Sequence, residues 1–222
     1  MKKRENEQIL RDLRYNSLKK EMKMKAVEYG LSLKEYEKLD RMAGILNKTR
    51  TLMDREGFDR DTATSLMFEL NELMASYERE EHKDCVLAPG AIETLKKLKK
   101  NGHDVGIVTN TSESELLQIL NKFEIGDYVN AYVTRDDSFY IKPNPEPVVK
   151  ILRKLKTRRF FYVGDSDHDA EACRKALELE QNNFHGKFIL MNTRNYNLKA
   201  LASIRPNAII QSLNELFPLL TK

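Results

Sequence analysis

A change of hydrophobic period near residue 85 constrains this chain more than any other feature. Before it, apolar residues recur at three- and four-residue steps. Ile9, Leu10, Leu13 and Leu18 open the pattern, Leu39, Met42, Ile45 and Leu46 continue it, and Leu66, Met67, Leu70, Leu73 and Met74 repeat it. That spacing places apolar side chains on one helical face, so residues 1–84 are expected to form a small helical bundle. Gly30 and Gly57 mark helix ends, and Ser32 with Glu35 offers a capping box. After the change, short apolar runs alternate with helical stretches of ten to fifteen residues. "HDVGIVTN", "NAYVT", "RRFFYVGDS", "GKFILMNT" and "NAII" read as strands. "APGAIETLKKLKKNG", "SESELLQILNKF", "EPVVKILRKL", "HDAEACRKALEL" and "SLNELFPLL" read as helices. This alternation predicts an α/β domain over residues 85–222, with a parallel sheet covered on both faces. Glu78 to Leu87 is the expected linker.

Composition narrows the classes of function. At 41% hydrophobic residues, a chain of 222 can bury a sizeable core. It has no run of 18 apolar residues, and the start, MKKRENEQIL, is charged where a signal peptide needs an apolar stretch, so a membrane is excluded and the cytoplasm is the expected compartment. Cys85 and Cys173 belong to no CxxC pair and are expected to be buried, reduced thiols. Residues 1–50 hold 14 Lys and Arg against 8 Asp and Glu. Their mixed signs at helical spacing, with no aromatic platform, describe a solvated helix face and argue against nucleic acid.

In a parallel sheet, ligands bind beyond the carboxyl ends of the strands, and three motifs fall there. In "GDSDHD", Gly164 permits close backbone approach, Asp165 stands at a strand tip and Asp169 lies one turn into the next helix. Two carboxylates facing one point suit Mg²⁺, which takes one or two and keeps several waters. Helix capping explains one or two aspartates but not the Gly-Asp at the tip. Asp167 and His168 read as exposed helix residues. In "VGIVTNTS", the Thr109 hydroxyl and the N–H groups of Asn110 and Thr111 would cradle a phosphate at a helix start. In "FYIKPNPEP", Lys142 would offset phosphate charge, with Pro143 fixing the chain after it.

In this order and spacing, the three motifs resemble the haloacid dehalogenase superfamily of phosphohydrolases. Thr109 corresponds to the threonine of its second motif, Lys142 to the lysine of its third, and "GDSDHD" to the acidic pair GDxxxD of its fourth. "APGAIETLKKLKKNGHDVGIVTN" and "TRDDSFYIKPNPEPVVKIL" extend the likeness to phosphoglycolate phosphatase-like members, over about residues 86–192. The resemblance implies a Rossmann-like core with an N-terminal helical cap and Mg²⁺ at Asp165 and Asp169. It makes Thr109 and Lys142 catalytic groups, has Thr109, Asn110 and Lys142 bind phosphate, and points to a small phosphorylated substrate.

The family's nucleophile is the first aspartate of DxDxT, at the tip of a central strand between those carrying the second and fourth motifs. "FDRDTAT" contains Asp59 and Asp61, but the sequence before it is no strand and Asp59 reads as a helix cap. Asp12 lies in helical sequence, with Arg14 where a second carboxylate belongs. The expectation is therefore a natural protein that begins upstream of this chain. Two other arrangements would close the sheet: re-paired strands, or a strand from another chain or a later segment. Activity of the chain itself is expected at background. The alternative function is a non-catalytic phosphate-binding or scaffold protein.

Overall fold

The computed structural model describes residues 2–179 and 183–220. They form two compact units, Met1–Cys85 and Val86–Lys222.

The first unit is helical. Its long helices are α1 (Lys2–Glu28), α2 (Met42–Glu56) and α3 (Arg60–His82), with a 3₁₀ turn at Leu33–Tyr36. Met22, Ala26, Ile45, Leu46, Leu66 and Leu70 are fully buried among them, as the three- and four-residue spacing requires. Gly57 ends α2 in the left-handed region at φ 69°, where a side chain would be strained. Asp59 caps α3, its carboxylate accepting from the N–H groups of Asp61 and Thr62.

Three expectations for this unit fail. Ser32 makes no side-chain cap, and Glu35 instead pairs with Lys48 at 2.7 Å and Arg55 at 3.0 Å, because a single 3₁₀ turn leaves its carboxylate to the lysine and arginine of α2. Ile9, Leu10 and Leu13 are more than half exposed. Where α1 meets the end of α3, it presents Arg14, which donates to Ser76 O at 2.8 Å, and Tyr15, which meets Tyr77 edge-on. The expected linker from Glu78 is still helix as far as His82.

The second unit is α/β. Its helices are α4 (Ala91–Lys100), α5 (Glu113–Lys122), α6 (Glu146–Lys154), α7 (Asp167–Glu178), α8 (Leu198–Ile204) and α9 (Phe217–Leu220). Its strands are β1 (Gly106–Val108), β2 (Ala131–Val133), β3 (Arg159–Gly164), β4 (His185–Met191) and β5 (Ala208–Ile210). All pairings are parallel, but among the described residues they make two pieces: β1 with β2, and β3, β4, β5 in that order. Among the described residues the two pieces do not pair with each other.

β4 shows why its piece is stable. Phe188 and Leu190 pack with Ala170 and Cys173, whereas Ile189 and Met191 pack with Ile210 and Leu216. Alternate residues thus feed opposite faces of one sheet, as a strand covered by helices on both sides demands. The apolar stripe of α6, Val148, Val149, Ile151 and Leu152, buries against Val133 and the α7 alanines Ala172 and Ala176. β3 is less buried than its composition suggests, and Phe161 is 37% exposed. Its edge away from β4 borders a cavity of about 650 Å³ whose opposite lip is β1.

Candidate active site

Lys142 joins the carboxyl end of β1 to the helix that follows β3. Its ammonium donates to Val108 O, the last carbonyl of β1, at 2.8 Å and to Asp169 Oδ1 in the first turn of α7 at 2.7 Å. The lysine sits there because its main chain is held: Asn110 Nδ2 donates to Lys142 O at 2.9 Å, and Lys142 N–H donates to Asn110 Oδ1 at 2.9 Å. The Lys142–Pro143 peptide is cis. Arg135, 1% exposed, completes the support by donating to Asn110 O at 2.8 Å.

Asp169 is buried, at 6% exposure. Burial alone would push its carboxyl upward, yet it lies below the usual aspartate range because the Lys142 charge and hydrogen bonds from Lys142, Ser166 and Tyr162 outweigh burial. The negative charge is felt nearby. Burial, then Asp169, raises the Tyr162 hydroxyl well above its ordinary value, and the same two influences push the Cys173 thiol up to about 12. Gly164 is required here for space, since a Cβ on it would overlap the Cβ and Cγ of Asp169.

Asp165 is more open, with its side chain 45% exposed. Arg194 Nε donates to its Oδ2 at 3.1 Å, Thr193 Oγ1 lies 3.4 Å from the same oxygen, and Tyr196 OH donates to its carbonyl at 3.1 Å. Asp165 and Asp169 are hard oxygen donors of opposite accessibility, and two carboxylates plus water are a set that Mg²⁺ accepts. Their chemistry is compatible with the ion, Asp165 being the open carboxylate and Asp169 the one held by Lys142, Tyr162 and Ser166. Among the described residues, no third acid, histidine or cysteine joins them in a metal-binding group.

The expected phosphate cradle differs in detail. Thr109 follows β1 directly, but its Oγ1 accepts from Thr111 N–H at 3.1 Å, so that amide is spent inside the turn. The Asn110 side chain is spent on Lys142. The helix begins at Glu113 with Ser112 as its cap, where "SESELLQILNKF" places it, so Asn110 and Thr111 lie in the turn before it. Asp167 and His168 are half-buried rather than exposed, since the first turn of α7 packs into the site. Neither cysteine is in a disulfide, but only Cys173 is buried; Cys85 is intermediate. Arg194, Thr193 and Tyr196 were not singled out by the sequence reading. Their signal is the strand-tip rule applied to "FILMNTRNY", because β4 neighbours β3 and ends at the same edge.

Comparisons with known proteins bear on the family and the fold. The sequence is 27% identical over 132 residues to pyrophosphatase PpaX of Bacillus mycoides (strain KBAB4), covering 59% of this chain and 58% of that protein. It is 34% identical over 106 residues to pyrophosphatase PpaX of Bacillus thuringiensis (strain Al Hakam), covering 45% and 49%. The chain thus spans about half the length of the relatives it matches. Its fold is similar to that of a predicted phosphoglycolate phosphatase from Haemophilus somnus 129PT, with a TM-score of 0.57 and 19% identity over 94% of this chain and 89% of that one. The profile of the haloacid dehalogenase-like hydrolases matches residues 9–177. That match runs through both compact units and most of the chain, and on that breadth the chain belongs to the haloacid dehalogenase-like hydrolase family.

Proposed function

We propose that this chain carries the phosphate- and metal-binding half of a Mg²⁺-dependent phosphatase for a small phosphomonoester of the phosphoglycolate type. The observation that carries the reading is the Lys142 ammonium, fixed between Val108 O and Asp169 at the strand tips. Lys142 offers its remaining donor capacity to a phosphoryl oxygen, and the Thr109 hydroxyl, whose oxygen accepts from Thr111, keeps its own proton to donate. Asp165 and Asp169 would hold Mg²⁺, which when bound supplies positive charge against the phosphoryl oxygens. The relatives named pyrophosphatase make a phosphoryl substrate the class to test. The helical unit, residues 1–84 in the sequence reading, is the cap that selects the substrate. No helix of the described residues is long and apolar enough to cross a membrane. Two thiols that form no disulfide accord with a cytoplasmic site of action.

Neither aspartate considered as nucleophile stands at a strand tip. Asp59 caps α3, and Asp12 lies in α1, accepting from Gln8 Nε2 at 3.0 Å. Hydrolysis by this chain is therefore expected at background. The test is calorimetric binding of inorganic phosphate with Mg²⁺ present, alongside turnover of a phosphomonoester panel and pyrophosphate. Lys142→Ala should weaken phosphate at least tenfold, and unchanged affinity would overturn the assignment. Robust turnover that persists in the Asp12→Asn, Asp59→Asn double variant would refute the expectation of background activity.

A further inference from the structure

The turn after β4 carries a charged group that the proposed phosphoryl site does not use. In "NTRNY", Asn192 N–H donates to Ile210 O at 2.9 Å and Thr193 N–H donates to Met191 O at 2.9 Å, so the chain leaves β4 still tied to the sheet. Asn192 Oδ1 accepts from Tyr196 N–H at 3.0 Å, and the Tyr196 hydroxyl donates to Asp165 O at 3.1 Å. Asn195 sits in the left-handed region at φ 50°, which asparagine adopts more readily than most residues. The turn is therefore pinned at its base and clasped to the tip of β3, and Arg194 rides on it.

The Arg194 guanidinium is held by one edge. Nε donates to Asp165 Oδ2 at 3.1 Å, and Thr193 Oγ1 lies 3.4 Å from the same oxygen. Both contacts use Oδ2, so the arginine leaves Oδ1 to a cation. Among the described residues, Nη1 and Nη2 make no hydrogen bond, and the side chain is 57% exposed. Burial opposes the charge, but Asp165, Tyr196 and Asp169 outweigh it and hold the guanidinium above its ordinary value. The carboxylate that binds Lys142 thus acts on Arg194 as well. A surface ion pair contributes little to stability, and stability alone does not call for a pinned turn beneath it.

Placement decides what this fork meets. Lys142 is buried and reaches the end of β1, Asp165 stands at the tip of β3, and Arg194 follows β4, whose Leu190 pairs with Gly164. Neighbouring strands lie about 4.8 Å apart. A phosphoryl group on Lys142 would have, farther along the strand tips, an exposed guanidinium whose Nη edge suits an oxyanion through two parallel hydrogen bonds. A neutral ester substituent leaves that charge unanswered, whereas a second anion on a short linker answers it.

We propose that Arg194 is a specificity-determining residue, binding a second oxyanion, carboxylate or phosphate, that the substrate carries on a short linker from its phosphoryl group. This rests on the phosphoryl reading of Lys142 and adds to it a selecting group within the α/β unit itself.

The test is calorimetry on the 222-residue chain with Mg²⁺ present, using ethyl phosphate, phosphoglycolate and pyrophosphate. Beside the phosphoryl group these carry no second anion, a carboxylate and a phosphate respectively. The unaltered chain should bind the latter two at least tenfold more tightly than ethyl phosphate. Arg194→Gln should erase that preference while changing ethyl phosphate less than twofold, and Arg194→Lys, which keeps charge but not the fork, should restore it in part. A loss confined to phosphoglycolate or to pyrophosphate would support the proposal and identify the oxyanion. Mg²⁺ titrated alone should bind Arg194→Gln no more weakly than the unaltered chain. Weaker Mg²⁺, or a uniform loss across the three ligands, would mean that Arg194 acts through Asp165 and would overturn the proposal. A preference that survives Arg194→Gln, while Lys142→Ala weakens all three ligands, would also overturn it and leave the phosphoryl reading standing. Lys142→Ala with all three affinities unchanged would remove that reading, and the proposal with it.

Discussion

Replacing Lys142 with methionine removes an ammonium from a pair whose side chains are 12% and 8% exposed, 2.7 Å apart. An exposed ion pair is worth about 0–1 kcal/mol. This pair is not exposed, and deleting one partner of a buried pair costs about 3–5 kcal/mol because the other charge is left uncompensated. Lys142→Met should therefore destabilise residues 86–222 by about 3 kcal/mol or more at pH 7. The loss should depend on pH. In the intact chain the Asp169 carboxyl is held below its ordinary value, so its stabilising contribution is full above the unfolded value of about 3.9 and fades as pH falls through the folded one. Without the ammonium, burial, the largest influence on this group, raises the carboxyl. The variant is then penalised at neutral pH and relieved in acid. The gap between the two proteins should narrow from pH 7 to about pH 4.5. Exchange of the β4 amides in the presence of EDTA reads this opening without assuming that the two units unfold together. Adding Asp169→Asn to Lys142→Met should recover most of the loss. A deficit below about 1 kcal/mol, the level of a surface pair, or one that is constant between the two pH values, would refute the reasoning.

Asp59→Asn should leave stability and any turnover unchanged, because asparagine caps a helix as well as aspartate, while Asp59→Ala should lower the melting temperature of the helical unit; loss of turnover in both would restore Asp59 as a reacting group. Ellman's reagent should find one rapidly reacting thiol, Cys85, with Cys173 reacting only on unfolding, because the latter is buried and pushed up to about 12; two equally fast thiols would contradict this. Gly164→Ala should destabilise by about 1–3 kcal/mol, since the added Cβ overlaps an aspartate that Lys142 prevents from moving, and an unchanged denaturation midpoint would show that α7 yields.

The sequence disclosed what repeats and hid what depends on distant partners. The period change, the strand identities and the Asp59 cap are local patterns, and each appears where its residues predict. α8 was missed because "LKALASI" is only seven residues long and follows a loop. Asp165, Asp169 and Lys142 were legible because each sits at a strand tip or in the loop that reaches one. The partners of those groups were not. Arg194 meets Asp165 across 29 positions, and Asn110 meets Lys142 across 32. Ser32 with Glu35 has the letters of a capping box, but Lys48 and Arg55 from the next helix claim the carboxylate. Pattern alone could not weigh a tertiary ion pair against a local cap.

The grip of Asn110 on Lys142 has a practical meaning. The amide holds the main chain of residue 142 by both its N–H and its C=O, so the address of that residue is written in groups every amino acid possesses. The side chain is an interchangeable tool in a fixed holder. Substitutions at 142 thus change what is presented at the strand tips while the presenting backbone stays in register, and a series there separates charge from placement in a way that substitutions at Asn110 cannot.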